Sequence, residues 1–317
     1  MGTFGRRLLE FSRRRRTPIT IGGTVAVAAV LAAILAGRRA EFTAALSSAS
    51  LAVLAGTALL QVVALVSRSE AWHLTIEAAG GTVSRRVLYR ASSMQVVGSV
   101  LNGHLGVAAR IAALRRSSPD ACPQVPTLIA AEFPILTVEA LLAAATSFTL
   151  VVPLGLPWWL PLVALAAVGL VSAALRRLAL RKGRELWRGL AVLRSLAGGS
   201  RVVGFVLVAV VAQILRNWIL LRAVGVDASL LDATAVLIAV VTLGQLPVGP
   251  TVGAAAAVLI LGHDGVAAAA AGGLLLTVTG TIGGLCFVVW AGLDHVLSAA
   301  RAVRTRPAPP RPESSAG

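Results

Sequence analysis

Six runs of roughly twenty apolar residues recur along this chain, at 19–37, 46–66, 125–152, 158–175, 202–221 and 266–293. As a helix, a run of that length spans the hydrocarbon core of a bilayer. Within that core no water is present to satisfy backbone N–H and C=O groups, so such runs are expected as transmembrane helices. The expected fold is therefore all-α, a polytopic membrane helix bundle with about six full spans. A hydrophobic share of 57% and a mean hydropathy of +0.84 agree, and the polar intervals are too short to fold a separate enzyme domain.

Two further apolar stretches are interrupted by glycine and proline, Val97 to Arg110 (VGSVLNGHLGVAAR) and Gly244 to Gly253 (GQLPVGPTVG). Non-helical backbone at bilayer depth persists only where it is buried in protein or lines a polar cavity. Such a pair, one in each half of a polytopic chain, points toward a substrate site. Basic residues decide how the two segments run. Arg6, Arg7, Arg13 to Arg16, the loops Arg68 to Arg90, Arg110 to Arg116 and Arg176 to Arg201, and the tail Arg301 to Arg311 fall on one side if neither broken segment crosses. Only Arg38, Arg39 and Arg222 then lie near the opposite face, which places both termini in the cytoplasm of a plasma (inner) membrane protein. The first broken segment then re-enters from the cytoplasm and the second (230–262) from outside, an arrangement resembling inverted-topology repeats; two compensating full spans are the alternative.

The domain layout expected is a basic cytoplasmic N-terminus over 1–18, a membrane domain over 19–300 and a disordered cytoplasmic tail over 301–317. The arginine run before the first apolar stretch reads as a retained signal anchor, because more spans follow it. The net charge of +16 is distributed between the apolar runs and forms no single stripe, so anionic lipid is the expected partner and nucleic acid is not. Lys182 is the single lysine among 29 basic residues, a usage that hints at a GC-rich bacterial source. Between Arg176 and Leu196, helical spacing sets Arg177, Arg181, Arg184 and Arg188 opposite Leu186, Leu190 and Leu193. That pattern fits an interfacial amphipathic helix or an ordinary positive-inside loop.

Ionisable groups inside apolar runs are the sharpest candidates for chemistry, since a charge at the bilayer centre costs about 3 kcal/mol or more. Glu132 and Glu139 lie seven residues apart and would share one helical face, while Arg216 and Asn217 interrupt the 202–221 run near its outer end. A Glu–Arg pair facing the bundle interior either holds a zwitterionic or anionic headgroup or locks helices together; alternatively Arg216 snorkels to the interface. In the first broken segment, Asn102, Gly103, His104 and Gly106 free backbone amides beside Arg110, a receptor suited to phosphate oxygens. The second offers Gln245, Pro247, Gly249, Pro250, Thr251 and Gly253, or simply a kinked helix packed through Gly249 and Gly253 like the pair Gly280 and Gly284. No catalytic elbow, phosphate-binding loop or metal-ligand spacing appears, and Cys122 and Cys286 are too isolated for a disulfide framework. No cofactor and no metal are expected.

From Arg68 and Trp72 through Gly103, Gly106 and Arg110, the chain resembles the lysylphosphatidylglycerol synthase transmembrane, or flippase-like, family. That family carries an R-x3-W-like element, a glycine turn ending in Arg, and a later proline–glycine turn. Pro247, Pro250 and Gly253 fit the last in shortened form, while Asn102, Val107 and Ala256 stand where the family has a proline and two acidic residues. The resemblance covers roughly 19–293. It implies a bundle with two re-entrant elements that moves a phospholipid or lipid-linked intermediate between leaflets. Arg110 and Arg68 would then hold phosphate, Asn102 and Gln245 would give polar contacts, and Glu132 or Glu139 would face an amine. The aminoacyl-transferase domain of the bifunctional members has no counterpart in these residues, so lysyl transfer is not expected. An embedded transferase using Glu132 or Glu139 as base, and an assembly subunit of a membrane complex, are the competing expectations.

Overall fold

The computed structural model describes residues 25, 28–101, 103–180, 185–244, 251–262 and 265–304, with side chains at 100, 101, 103, 104, 185, 186 and 294–304 outside the description. All regular structure among them is helical: α1 (Arg39–Ser48), α2 (Leu51–Ala78), α3 (Arg85–Leu101), α4 (Gly103–Ser117), α5 (Val125–Ala130), α6 (Phe133–Thr146), α7 (Leu160–Leu180), α8 (Leu196–Ala223), α9 (Leu230–Leu243), α10 (Val252–Leu261) and α11 (Val266–Arg304), with short helical turns between. Five stretches are long and apolar enough to cross a membrane: α2, Val125–Leu154, α7, α8 and Val266–Leu293. The expected first span, 19–37, lies largely outside the described residues; 28–35 of it is helical.

The apolar residues of these helices face outward as well as inward. Only 6% of the apolar window of α7 is buried, and Leu162, Leu170, Leu285 and Trp158 stand exposed. A water-soluble protein would hide such surface, whereas a bilayer solvates it. This is the physical basis for reading the chain as a multi-pass membrane bundle.

Two boundaries differ from the sequence reading in ways that matter for the site. The second span does not end at residue 66. Ser50 caps it, its hydroxyl accepting from the Val53 amide, and the helix then runs unbroken to Ala78, before Gly80 at φ +91°. Arg68 and Trp72 are thus helical residues packed among neighbours and not members of a cytoplasmic loop. Hydropathy truncated the helix because Ser67, Arg68, Ser69, Glu70 and His73 are polar, yet each lies against another element or its own backbone. The 125–152 run is not one smooth span either. A turn at Ala131 and Glu132 separates α5 from α6, where Pro134 lacks the N–H that would continue the ladder.

Both interrupted segments become pairs of short helices. The first is α3 folded back on α4: Gly98 and Gly106 meet at the crossing, where a Cβ on Gly98 would lie 2.9 Å from the Gly106 Cα. At the open end the Thr82 amide donates to the Ala121 carbonyl at 3.0 Å, closing the hairpin. The second pairs α9 with α10. A capping box starts α9, the Asp232 amide donating to the Ser229 hydroxyl and the Ser229 amide to the Asp232 carboxylate, while α10 crosses α11 at Gly253 and Gly273. One apolar cluster, including Leu220, Val236, Ile260 and Leu275, joins α8 to α9, α10 and α11. Another, including Trp72, Leu88, Leu114, Leu128 and Val206, joins α2, the α3–α4 hairpin, α5 and α8. The α2–α8 seam connects the two.

The hairpin crossing has no spare room, since a Cβ on Gly106 would sit 2.7 Å from the Gln95 carbonyl oxygen. Gly106→Leu is expected to destabilise the bundle by about 3 kcal/mol, the upper range for overpacking, as read by unfolding in mixed micelles.

The interfacial helix anticipated between Arg176 and Leu196 is not formed as one element. The described residues give a single turn at Glu185–Arg188 and a 3-10 turn at Ala191–Arg194, with Leu190 fully buried. Gly189 packs so closely on α5 that a Cβ there would lie 2.7 Å from the Ala131 nitrogen, and the Arg194 Nε–H donates to the Ala179 carbonyl at 2.6 Å. Leu190 therefore covers protein.

Candidate functional site

A cavity of about 470 Å³ opens between α2, α3, α6, α8, α9 and α11. Gln61, Leu65, Arg68 and Ser69 of α2 form one wall, Gln95, Val96 and Ser99 of α3 a second, and Glu139, Leu142 and Thr146 of α6 a third. Thr234, Ile238, Val241 and Thr242 of α9 face them, with Gln213 of α8 and Gly280, Gly284 and Phe287 of α11 completing the lining. The walls are mainly apolar with a few convergent polar groups, the usual character of a ligand site, and the volume lies within the ordinary range for one.

Two ion pairs lie at one end, and they differ in accessibility. Arg68 Nη1 pairs with Glu139 Oε1 at 2.9 Å, with the side chains 33% and 26% exposed. Both line the cavity, so a ligand can reach them. Arg110 pairs with Glu132 and is otherwise sealed: its side chain is 1% exposed, and its guanidinium carbon sits 3.8 Å from the centroid of the buried Trp72 ring. Arg110 borders the cavity, but its charge is already matched by Glu132 and its face by the indole. The four charges sum to zero, and together they tie α2, α4 and the α5–α6 segment into one unit.

Arg216 lies behind Gln61 and Gly280 of the cavity lining. Its Nη1 donates to Gln61 Oε1 and its Nη2 to the Leu276 carbonyl at 2.5 Å, so it links α8 to α2 and α11. It points into the bundle and does not snorkel outward. Asn217, on another face of α8, is buried and reaches the Ala233 carbonyl at 3.5 Å, toward α9 and away from the cavity. Of the residues singled out by sequence, Arg68, Glu139 and Arg110 thus meet at the cavity, and Arg216 touches its lining through Gln61 and Gly280. Trp72 and Glu132 are packed behind it, Gly106 serves the hairpin crossing, and Gly103 begins α4. Asn102, Gln245, Pro247 and Pro250 lie outside the described residues.

The sequence reading overlooked Gln61, Gln95 and Gln213. All three are uncharged, which kept them off a list of ionisable groups, yet each is a strongly polar side chain, Gln61 and Gln213 in apolar helices, and all three line the cavity.

No family model, curated protein or solved structure matches this chain.

Proposed function

We propose that this chain is an integral membrane protein of the flippase-like type that takes the headgroup of a phospholipid or lipid-linked intermediate into the cavity and passes it across the bilayer. The observation carrying this reading is the accessible Arg68–Glu139 pair in an apolar cavity walled by α2, α3, α6, α8, α9 and α11. An ion pair of this kind can exchange partners: the guanidinium turns to a phosphate and the carboxylate to an amine or hydroxyl, so neither charge is left bare. The cavity suits a headgroup, while acyl chains would remain in lipid along the apolar outer faces. Arg68, in place of Arg110, becomes the phosphate contact, because Arg110 is committed to Glu132 and Trp72.

In this reading the termini lie in the cytoplasm of the plasma membrane, the α3–α4 hairpin re-enters from that side, and α9–α10 from the other. Alternating exposure of the cavity to each leaflet would then move the headgroup.

The test is leaflet exchange. Vesicles reconstituted with the full chain and a headgroup-fluorescent phospholipid are expected to equilibrate the probe between leaflets faster than protein-free vesicles, as read by dithionite bleaching. Equal rates with and without protein would overturn the carrier reading. A covalently altered lipid in the extract would favour the embedded transferase, for which Glu139 is the better placed base, since Glu132 is held by Arg110.

A further inference from the structure

Three glutamines from three different helices line the cavity: Gln61 on α2, Gln95 on α3 and Gln213 on α8. Gln61 is fixed in orientation, because its Oε1 accepts from Arg216 behind the wall and its amide N–H groups are left as donors for a ligand. Gln95 and Gln213 are half-buried, and neither side-chain amide has a partner among the described residues. Ser92 lies one turn before Gln95 on the same face of α3 and lines the same cavity. Other hydroxyls of the lining turn back on themselves: those of Ser69, Thr146 and Thr234 donate to carbonyls one turn earlier in their own helices. Ser92 does not; it is 4% exposed, and its hydroxyl has no partner among the described residues. A polar group kept in an apolar site without a partner costs free energy, and a ligand that supplies the partner recovers it.

The charged groups of the lining answer one another, Arg68 with Glu139. What the cavity offers beyond that pair is a set of uncharged donors and acceptors. An amide carries both functions, and so does a hydroxyl, so the complement of this set is a headgroup with several hydroxyls, each able to donate and accept. We infer that Gln61, Gln95, Gln213 and Ser92 form a hydroxyl-recognising subsite, which selects a headgroup carrying a polyhydroxylated ring, a sugar or a cyclitol, beyond its phosphate. This rests on the carrier reading above and adds to it the class of headgroup. The phosphate takes Arg68, and the ring hydroxyls supply the partners that Gln95, Gln213 and Ser92 lack.

The experiment is thermal unfolding of the purified full-length protein in a polyoxyethylene detergent, which carries no sugar to compete. The protein is titrated separately with dioctanoyl phosphatidylinositol, dioctanoyl phosphatidylethanol and deacylated glycerophosphoinositol. The two phospholipids share their charge and acyl chains and differ in the hydroxylated ring. Ligand binding to the native state raises the unfolding midpoint with concentration. Phosphatidylinositol is expected to act at roughly tenfold lower concentration than phosphatidylethanol, because an analogue without hydroxyls leaves the polar groups of the site unpaired. Gln95→Leu and Gln213→Leu are each expected to reduce that preference roughly threefold, the scale of one neutral hydrogen bond, and the two together to abolish it. Ser92→Ala should weaken the preference while keeping the midpoint of the ligand-free protein, since the hydroxyl it removes has no partner to lose. Gln124→Leu, at an exposed residue ahead of α5 and outside the lining, should leave the preference unchanged. Equal action of the two phospholipids overturns the inference and leaves the carrier reading standing. So does a preference that survives the double glutamine variant or, where that variant does not fold, Ser92→Ala. Equal action of glycerophosphoinositol and phosphatidylinositol overturns the lipid assignment in favour of a soluble polyol phosphate. No response to either phospholipid overturns both the inference and the carrier reading.

Discussion

Glu132→Ala is expected to destabilise the bundle by about 3–5 kcal/mol, the cost of stranding a buried charge by removing its partner. The substitution leaves Arg110, 1% exposed, with the Trp72 ring on its face and Glu139, already paired with Arg68, as the further carboxylate acting on it. A desolvated cation–π contact contributes about 2 kcal/mol, which is too little to replace a carboxylate. Removing both charges is a different matter. Arg110→Met with Glu132→Leu replaces the pair by apolar volume, and such exchanges are often neutral or stabilising. The double variant should therefore recover most of the stability that either single change loses. Denaturant unfolding in mixed micelles of the single and double variants measures the coupling directly. A Glu132→Ala protein within about 1 kcal/mol of the parent would contradict the account, because it would mean that water or another group reaches Arg110.

The second large effect is expected on transport, with stability spared. Arg68 and Glu139 are each about a quarter to a third exposed, so their mutual attraction is screened and contributes about 1 kcal/mol or less to folding. Arg68→Gln should leave the unfolding midpoint nearly unchanged. It removes a charge-assisted hydrogen bond to phosphate of about 1.5–3 kcal/mol, which corresponds to a loss of roughly ten- to a hundredfold in leaflet-exchange rate at subsaturating lipid. Glu139→Gln should also slow exchange, most strongly for headgroups that carry an amine. The contrast between the two ion pairs is the informative part: Glu132 substitutions are expected to act through stability and Arg68 substitutions through the proposed transport. An Arg68→Gln protein that exchanges lipid at the parental rate would assign the pair a purely structural role.

Much of the architecture was legible because hydropathy reports the solvent. Runs of apolar residues fold as helices in a bilayer whatever their neighbours, and 266–293 was read with the bounds of the observed apolar stretch. Glycine marked where α3 and α4 cross, since the Gly98–Gly106 contact is a close backbone approach that only missing side chains permit. Glu132, Glu139 and Arg216 were flagged by the cost of charge in hydrocarbon, and each has a polar partner in the fold. Their partners were not legible. Counting arginines as loop markers put Arg68 in a loop, although its helix continues for ten residues beyond it and Glu139 compensates it there. A partner seventy-one positions away leaves no trace in local periodicity. Local spacing likewise left 176–196 open between a helix and a loop, and it gave no sign of the close approach to α5 that Gly189 permits.

The most direct measurement of the central claim is photo-crosslinking with a phospholipid that carries a diazirine on its headgroup, followed by peptide mapping of the reconstituted full-length protein. The account predicts headgroup adducts on cavity residues such as Leu65, Leu142 and Val210, reduced in Arg68→Gln. Adducts confined to outward-facing positions such as Leu162, Leu170 and Leu285, with none in the cavity, would contradict it.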